Sequence, residues 1–372
     1  MKKFLAVIAI LVVLGVLLFG SFRLKNLQAE YTYNYEKYFD KEHFLKQIKM
    51  PPNLTLPKEG VIVAVIDMGM DLNHPAYKEK LLKSDFKGEN AIYPKDEATL
   101  AHGTAVASII AAESDEMLGI APNVRILPVL IGLPYPKGYE DIATTYYKMR
   151  PEDLLKFAKE PDKLKRFKEF AKLRTEIILK NTANAIKYAV DHGAKIICLS
   201  ATTVNETRYV EDAVKYAHSK GVVIVAPTGN DAKNVVYYPA RFDEVIAVGG
   251  VNEDDKWWYE EKALKGLPIP IKQGSNFGEG IDVVAPSCNI LHAYPTDLSK
   301  EIYQSEGCGT SLAAPQVAGL AAIIMSKNPN LTPDEVKKII IRGADDLGPY
   351  GWDKRYGYGR ININKTLKLI TE

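Results

Sequence analysis

Three side chains of the 372-residue chain, Asp67, His102 and Ser311, are an acid, an imidazole and a hydroxyl that each stand where an apolar run ends or begins. Together they can do one kind of chemistry. A serine hydroxyl is a poor nucleophile until a neutral histidine takes its proton, and a carboxylate behind the ring fixes its tautomer and stabilises the imidazolium that forms. Ser311 leads into residues 312–325, apolar on every face, which predicts a core helix opening near Ser311 with Pro315 in its first turn. At that end unpaired N–H groups and the positive end of the helix dipole face any oxygen becoming negative. Singly, each residue has a plainer reading: a helix cap, a loop acceptor and a structural donor.

The elements that would position them follow from the apolar pattern. VIVAVID, residues 61–67, is a continuous apolar run ending in an acid, as expected of a strand covered on both faces of a parallel sheet. Ligand and catalytic groups of open α/β sheets gather at that carboxyl edge. HGTAVASIIAAE, residues 102–113, predicts a small-residue helix packed on the sheet, with His102 at its amino end. Further strands are predicted at 125–132, 194–200, 221–230, 244–251 and 281–287, the third of these ending in Gly229 and Asn230. No strand-to-helix turn carries G-x-G-x-x-G or a P-loop, which argues against a nucleotide-binding protein.

The order Asp67, His102, Ser311 is that of subtilisin among the serine hydrolases. VIDMGMDLNHP resembles the Asp motif of the subtilisin-like serine proteases, HGTAVAS their His motif, GTSLAAPQVAG their Ser motif and APTGN their oxyanion segment. The resemblance spans about Glu59 to Leu369. It implies an α/β, three-layer fold with a mostly parallel central sheet and helices on both faces. It further implies a serine endopeptidase working through an acyl-enzyme, with Asn230 in the oxyanion hole and protein or peptide substrates. Ser200, Ala201, Thr202 and Gly229 would line the substrate cleft, Thr202 narrowing the first specificity pocket. The alternative is an inactive, peptide-binding relative.

Composition adds bounds. With 47% hydrophobic and 25% charged residues the chain can bury a large core, and a net charge of +2 implies no nucleic-acid partner. Phe4 to Phe22 is uncharged and follows Lys2 and Lys3. At roughly 1.5 Å per residue it would cross a hydrocarbon core of roughly 30 Å, so residues 1–22 are expected to anchor the chain in a membrane or direct its export. Either outcome puts the catalytic part outside the cytoplasm, membrane-anchored or secreted. Residues 23–58 read as a tyrosine-rich connector, too short for a domain. Residues 59–372 read as the catalytic domain, carrying a charged helical insertion at about 139–180 expected to overhang the cleft. Cys198, Cys288 and Cys308 suggest no disulfide framework. No cofactor and no metal are expected. Ala76 stands where calcium-binding relatives of the resembled family place a liganding acid, and the turn SDEML, residues 114–118, is short for a calcium loop. The sequence leaves the oligomeric state undetermined.

Overall fold

The computed structural model describes residues 29–146, 160–200, 202–262 and 270–370. Six strands form one parallel sheet: β1 (Ile62–Asp67), β2 (Arg125–Leu130), β3 (Ile196–Leu199), β4 (Val223–Pro227), β5 (Val245–Val251) and β6 (Val283–Pro286), in the order β6-β5-β4-β3-β1-β2. Every one of them falls in a predicted run. Alternate residues of each strand enter opposite cores: Val63 and Val65 face one layer, Ala64 and Ile66 the other. Burial on both faces is what makes these strands read as unbroken apolar stretches.

On the first face lie α1 (Glu97–Ala111) and α4 (Thr310–Lys327), packed against each other. On the second lie α2 (Pro161–Asp191) and α3 (Arg208–Ser219). Two shorter helices, α5 (Pro333–Gly343) and α6 (Ile363–Ile370), close the first face. The expected α/β architecture, with helices on both faces of a parallel sheet, is therefore the one observed.

Two local expectations change. α1 begins at Glu97, five residues before His102, because Asp96 caps it: Thr99 N–H donates to Asp96 Oδ1 at 3.1 Å. His102 thus sits in the second turn. α4 opens at Thr310 and runs unbroken through Pro315, so the proline lies beyond the first turn, held in a helix buried on nearly every side. In the insertion, Pro161 occupies the first turn of α2, where its missing N–H costs nothing. The short helix that Pro151 is expected to open lies outside the described residues.

The expected connector is itself folded. Strands Glu30–Asn34 and Asn53–Pro57 pair antiparallel, and between them Tyr35, Phe44, Leu45 and Ile48 are wholly buried in the first-face core. Tyr35 Oη donates to the carbonyl of Ile120 at 2.8 Å and Tyr38 Oη to that of Ser114 at 2.7 Å. Among the described residues no helix is long and apolar enough to cross a membrane. Phe4 to Phe22 lies outside them.

Candidate active site

Asp67 ends β1 with its side chain turned into the protein, only 3% exposed. Oδ1 accepts the Met68 N–H at 2.8 Å, and Oδ2 accepts from Nδ1 of His102, also at 2.8 Å. The close approach of α1 depends on Gly103. A methyl there would stand 2.1 Å from the Gly69 carbonyl oxygen and 3.1 Å from Asp67 Cβ, so no larger residue could follow His102. With Nδ1 donating, the neutral ring keeps Nε2 as its basic atom. The Asp67 charge raises the pKa of His102 above the ordinary histidine range, outweighing burial, which acts the other way.

Ser311 is the second residue of α4, behind the extended Gly309. A methyl built on Gly309 would lie 3.3 Å from Ser311 Oγ and 3.9 Å from both Asn230 Nδ2 and Ser311 N. One small volume is therefore ringed by the hydroxyl, the side-chain amide and the backbone N–H. Asn230 is aimed by its neighbour: Thr310 donates to Asn230 Oδ1 from its backbone N–H at 2.9 Å and from Oγ1 at 2.7 Å. With the carbonyl end so held, Nδ2 turns toward Ser311. Gly229 before it adopts φ +109°, a conformation that disfavours any side chain, and Asn276 Oδ1 accepts the N–H groups of Asp231 and Lys233 on the far side of the turn. Among the described residues Ser311 is not hydrogen-bonded to His102, a contact that is often long without substrate.

Ser200 and Thr202 line a cavity of about 290 Å³ that reaches Asp67 and His102. Among the described residues, its remaining wall comes from Met68 after β1, from Ile131, Gly132 and Pro134 after β2 and from Arg174 and Ile178 on α2. Through these two residues the insertion helix borders the cavity. Ala201 lies outside the described residues. Thr203 pairs antiparallel with Tyr238, so this rim is partly tied down. Cys198 is buried under it, its thiol pushed up to about 12 and inert.

The reading of the cysteines needs correction, because Cys288 and Cys308 form a disulfide. The chain leaving β6 runs antiparallel to the chain approaching Ser311, with the Asn289 N–H donating to the Gly307 carbonyl at 2.8 Å, and this register brings the sulfurs together. Of the described residues, Glu260, Cys288 and Cys308 come close enough for a metal, but both sulfurs are already bonded. Around Ala76 the residues do not suit calcium either. Ala76 is buried without an oxygen ligand on its side chain, while Asp115 and Glu116 pair with Lys37 at 2.9 Å and Lys41 at 2.7 Å.

Thr310, Asn276, Arg174 and Ile178 were not singled out from the sequence. Thr310 is the middle letter of GTS, and its place beside Ser311 is the sequence signal for its orienting role.

Comparisons with known proteins bear on the family. Residues 58–359 match the subtilase family. A thermophilic serine proteinase from a Bacillus species is 33% identical over 83% of this chain and 62% of its own length, and fervidolysin from Fervidobacterium pennivorans 27% identical over 83% and 41%. The chain thus spans less than two thirds of these relatives. Subtilisin BL from Lederbergia lenta is 26% identical over 83% of this chain and 91% of its own. Among solved structures, the prenylagaramide maturation protease PagA superposes with a TM-score of 0.57 at 26% identity, over 84% of this chain and 94% of that one. An acid at the end of β1, an imidazole on α1, a serine opening α4 and a match that encloses all three make this chain a member of the subtilase family.

Proposed function

We propose that the protein is a serine endopeptidase in which Asp67, His102 and Ser311 act as one unit and Asn230 helps bind the oxyanion, residues 59–372 forming the catalytic domain. His102 Nε2 takes the proton of Ser311 Oγ as the oxygen attacks a peptide carbonyl, and the tetrahedral oxyanion is held by Asn230 Nδ2 and the Ser311 N–H. The same proton passes to the leaving amine, the C–N bond breaks and an acyl-enzyme remains. Water then attacks, giving a proton to His102, which passes it to Ser311 Oγ as the ester bond breaks and the acid is released. The convergence of Ser311 Oγ, Ser311 N and Asn230 Nδ2 on the space beside Gly309 carries this reading, because an oxygen there meets nucleophile and donors at once.

Membrane anchoring or export through residues 1–22, with protein or peptide substrates met outside the cytoplasm, belongs to the same proposal. It rests on the uncharged run Phe4 to Phe22 and on the Cys288–Cys308 disulfide, a bond that persists in oxidising compartments. Cleavage of an unstructured protein by the wild type, compared with Ser311→Ala and His102→Ala, tests the catalytic part. Each change is expected to lower kcat/KM by roughly three orders of magnitude or more. Undiminished cleavage by Ser311→Ala would rule the proposal out and leave the peptide-binding alternative.

A further inference from the structure

Among the described residues, the cavity beside His102 combines apolar wall with the guanidinium of Arg174. Ile131 and Ile178 supply apolar wall, and Arg174 comes in from α2. Asp67, which also borders the space, has both carboxylate oxygens committed, Oδ1 to Met68 N–H and Oδ2 to His102, and is 3% exposed. Arg174 has interactions within the fold, yet a guanidinium carries five N–H donors, enough to serve a protein partner and a carboxylate together. Its position is well supported. The following turns of α2 are anchored in the second-face core by Leu179, Ala183 and Ile186, and Phe170 one turn earlier is fully buried against Ile142 and Ala143.

We infer that this cavity is an acid-selective subsite, in which Arg174 binds the carboxylate of a glutamate side chain lying close to the scissile bond while Ile131 and Ile178 cover its methylenes. Glutamate fits better than aspartate because its longer stem reaches across the apolar wall before the charge begins. The inference rests on the endopeptidase reading and narrows its substrate class to peptides with an acidic residue at one fixed position. Charge-assisted bonds to a guanidinium are among the stronger polar contacts, so about a tenfold effect on kcat/KM is expected, shrinking as salt screens it.

The test is a set of peptides in which Glu, Gln or Lys is moved through each position on either side of one cleavage site. In the wild type one position should favour Glu over Gln by about tenfold. The ratio should fall below about twofold in Arg174→Gln, persist in Arg174→Lys and turn toward Lys in Arg174→Glu. Because the ratio is taken within each variant, a lowered active fraction cancels. A wild type that cleaves these peptides with no position favouring Glu, or a preference that survives Arg174→Gln, overturns the subsite while leaving the endopeptidase intact. No cleavage of any peptide, with Ser311 unreactive toward a serine-directed reagent, removes the parent reading and the subsite with it.

Discussion

The segment Glu30–Pro57 and the insertion around α2 are both additions to the strand-and-helix core, on opposite faces of the sheet, and they are attached in different ways. The first drives Tyr35, Phe44, Leu45, Ile48 and Leu56, all wholly buried, into the core shared by α1 and α4. The second enters the core only with the later turns of α2; its outer part rests on a small separate cluster of Ile142, Ala143 and Phe170. An element that shares the main core stabilises the whole domain, whereas one held by its own few contacts can open without unfolding the rest. The first addition thus underpins the helices carrying His102 and Ser311, and the second shapes what reaches them.

The largest effect should separate the two directly. Phe44→Ala removes a ring from the shared core and is expected to cost about 3–5 kcal/mol of global stability. Phe170→Ala should cost less than about 1 kcal/mol globally, the loss appearing instead as faster hydrogen exchange and proteolytic nicking confined to the insertion. Equal losses in denaturant titrations would break the comparison.

A smaller effect concerns Glu42, buried in the N-terminal segment with Oε1 accepting the Leu118 N–H at 2.8 Å. Burial pushes its pKa up to about 8. The folded state therefore keeps a proton that the unfolded chain gives up near pH 4.5, and stability should fall between about pH 4.5 and 8 by up to about 1.4 kcal/mol per pH unit. Glu42→Gln, which keeps the acceptor and cannot ionise, should flatten that decline. An unchanged slope in thermal melts would show that Glu42 does not set it. Among the described residues the insertion buries no carboxylate, so the same experiment there should move nothing.

The smallest expected effect is that of calcium. The turn at 114–118 is tied to the N-terminal segment by Tyr38, Glu42, Lys37 and Lys41 and not by an oxygen cage. Between chelator and millimolar calcium the melting temperature should shift by less than about 3 °C, and a rise beyond about 10 °C would reveal a tight site that these residues do not suggest.

The sheet was legible because its strands are buried on both sides, and the candidate catalytic residues because Asp67, His102 and Ser311 fall in short motifs, Asp67 at the end of a strand and Ser311 at the start of a helix. What escaped depends on partners far away in the chain. Tyr35 and Phe44 sit among charged residues, and their burial is decided by the surface of α1 and α4. The start of α1 was missed because residues 97–101 lack a helical apolar pattern and only the Asp96 cap marks it. The disulfide depends on the register of 287–289 against 307–309, which spacing alone does not give. Arg174 looks like any other charge on a solvated helix until α2 is laid along the cleft.

The central claim is that Ser311 is a nucleophile activated by the Asp67–His102 pair, and stoichiometric labelling with a fluorophosphonate across a pH series tests it most directly. The account predicts one label per chain, on Ser311. The rate should rise with pH as His102 loses its proton, through a midpoint above the ordinary histidine value of about 6.5 because Asp67 favours the charged ring. Labelling should be absent in Ser311→Ala and slowed by orders of magnitude in His102→Ala. A label placed on another residue, or a rate indifferent to loss of His102, would contradict it.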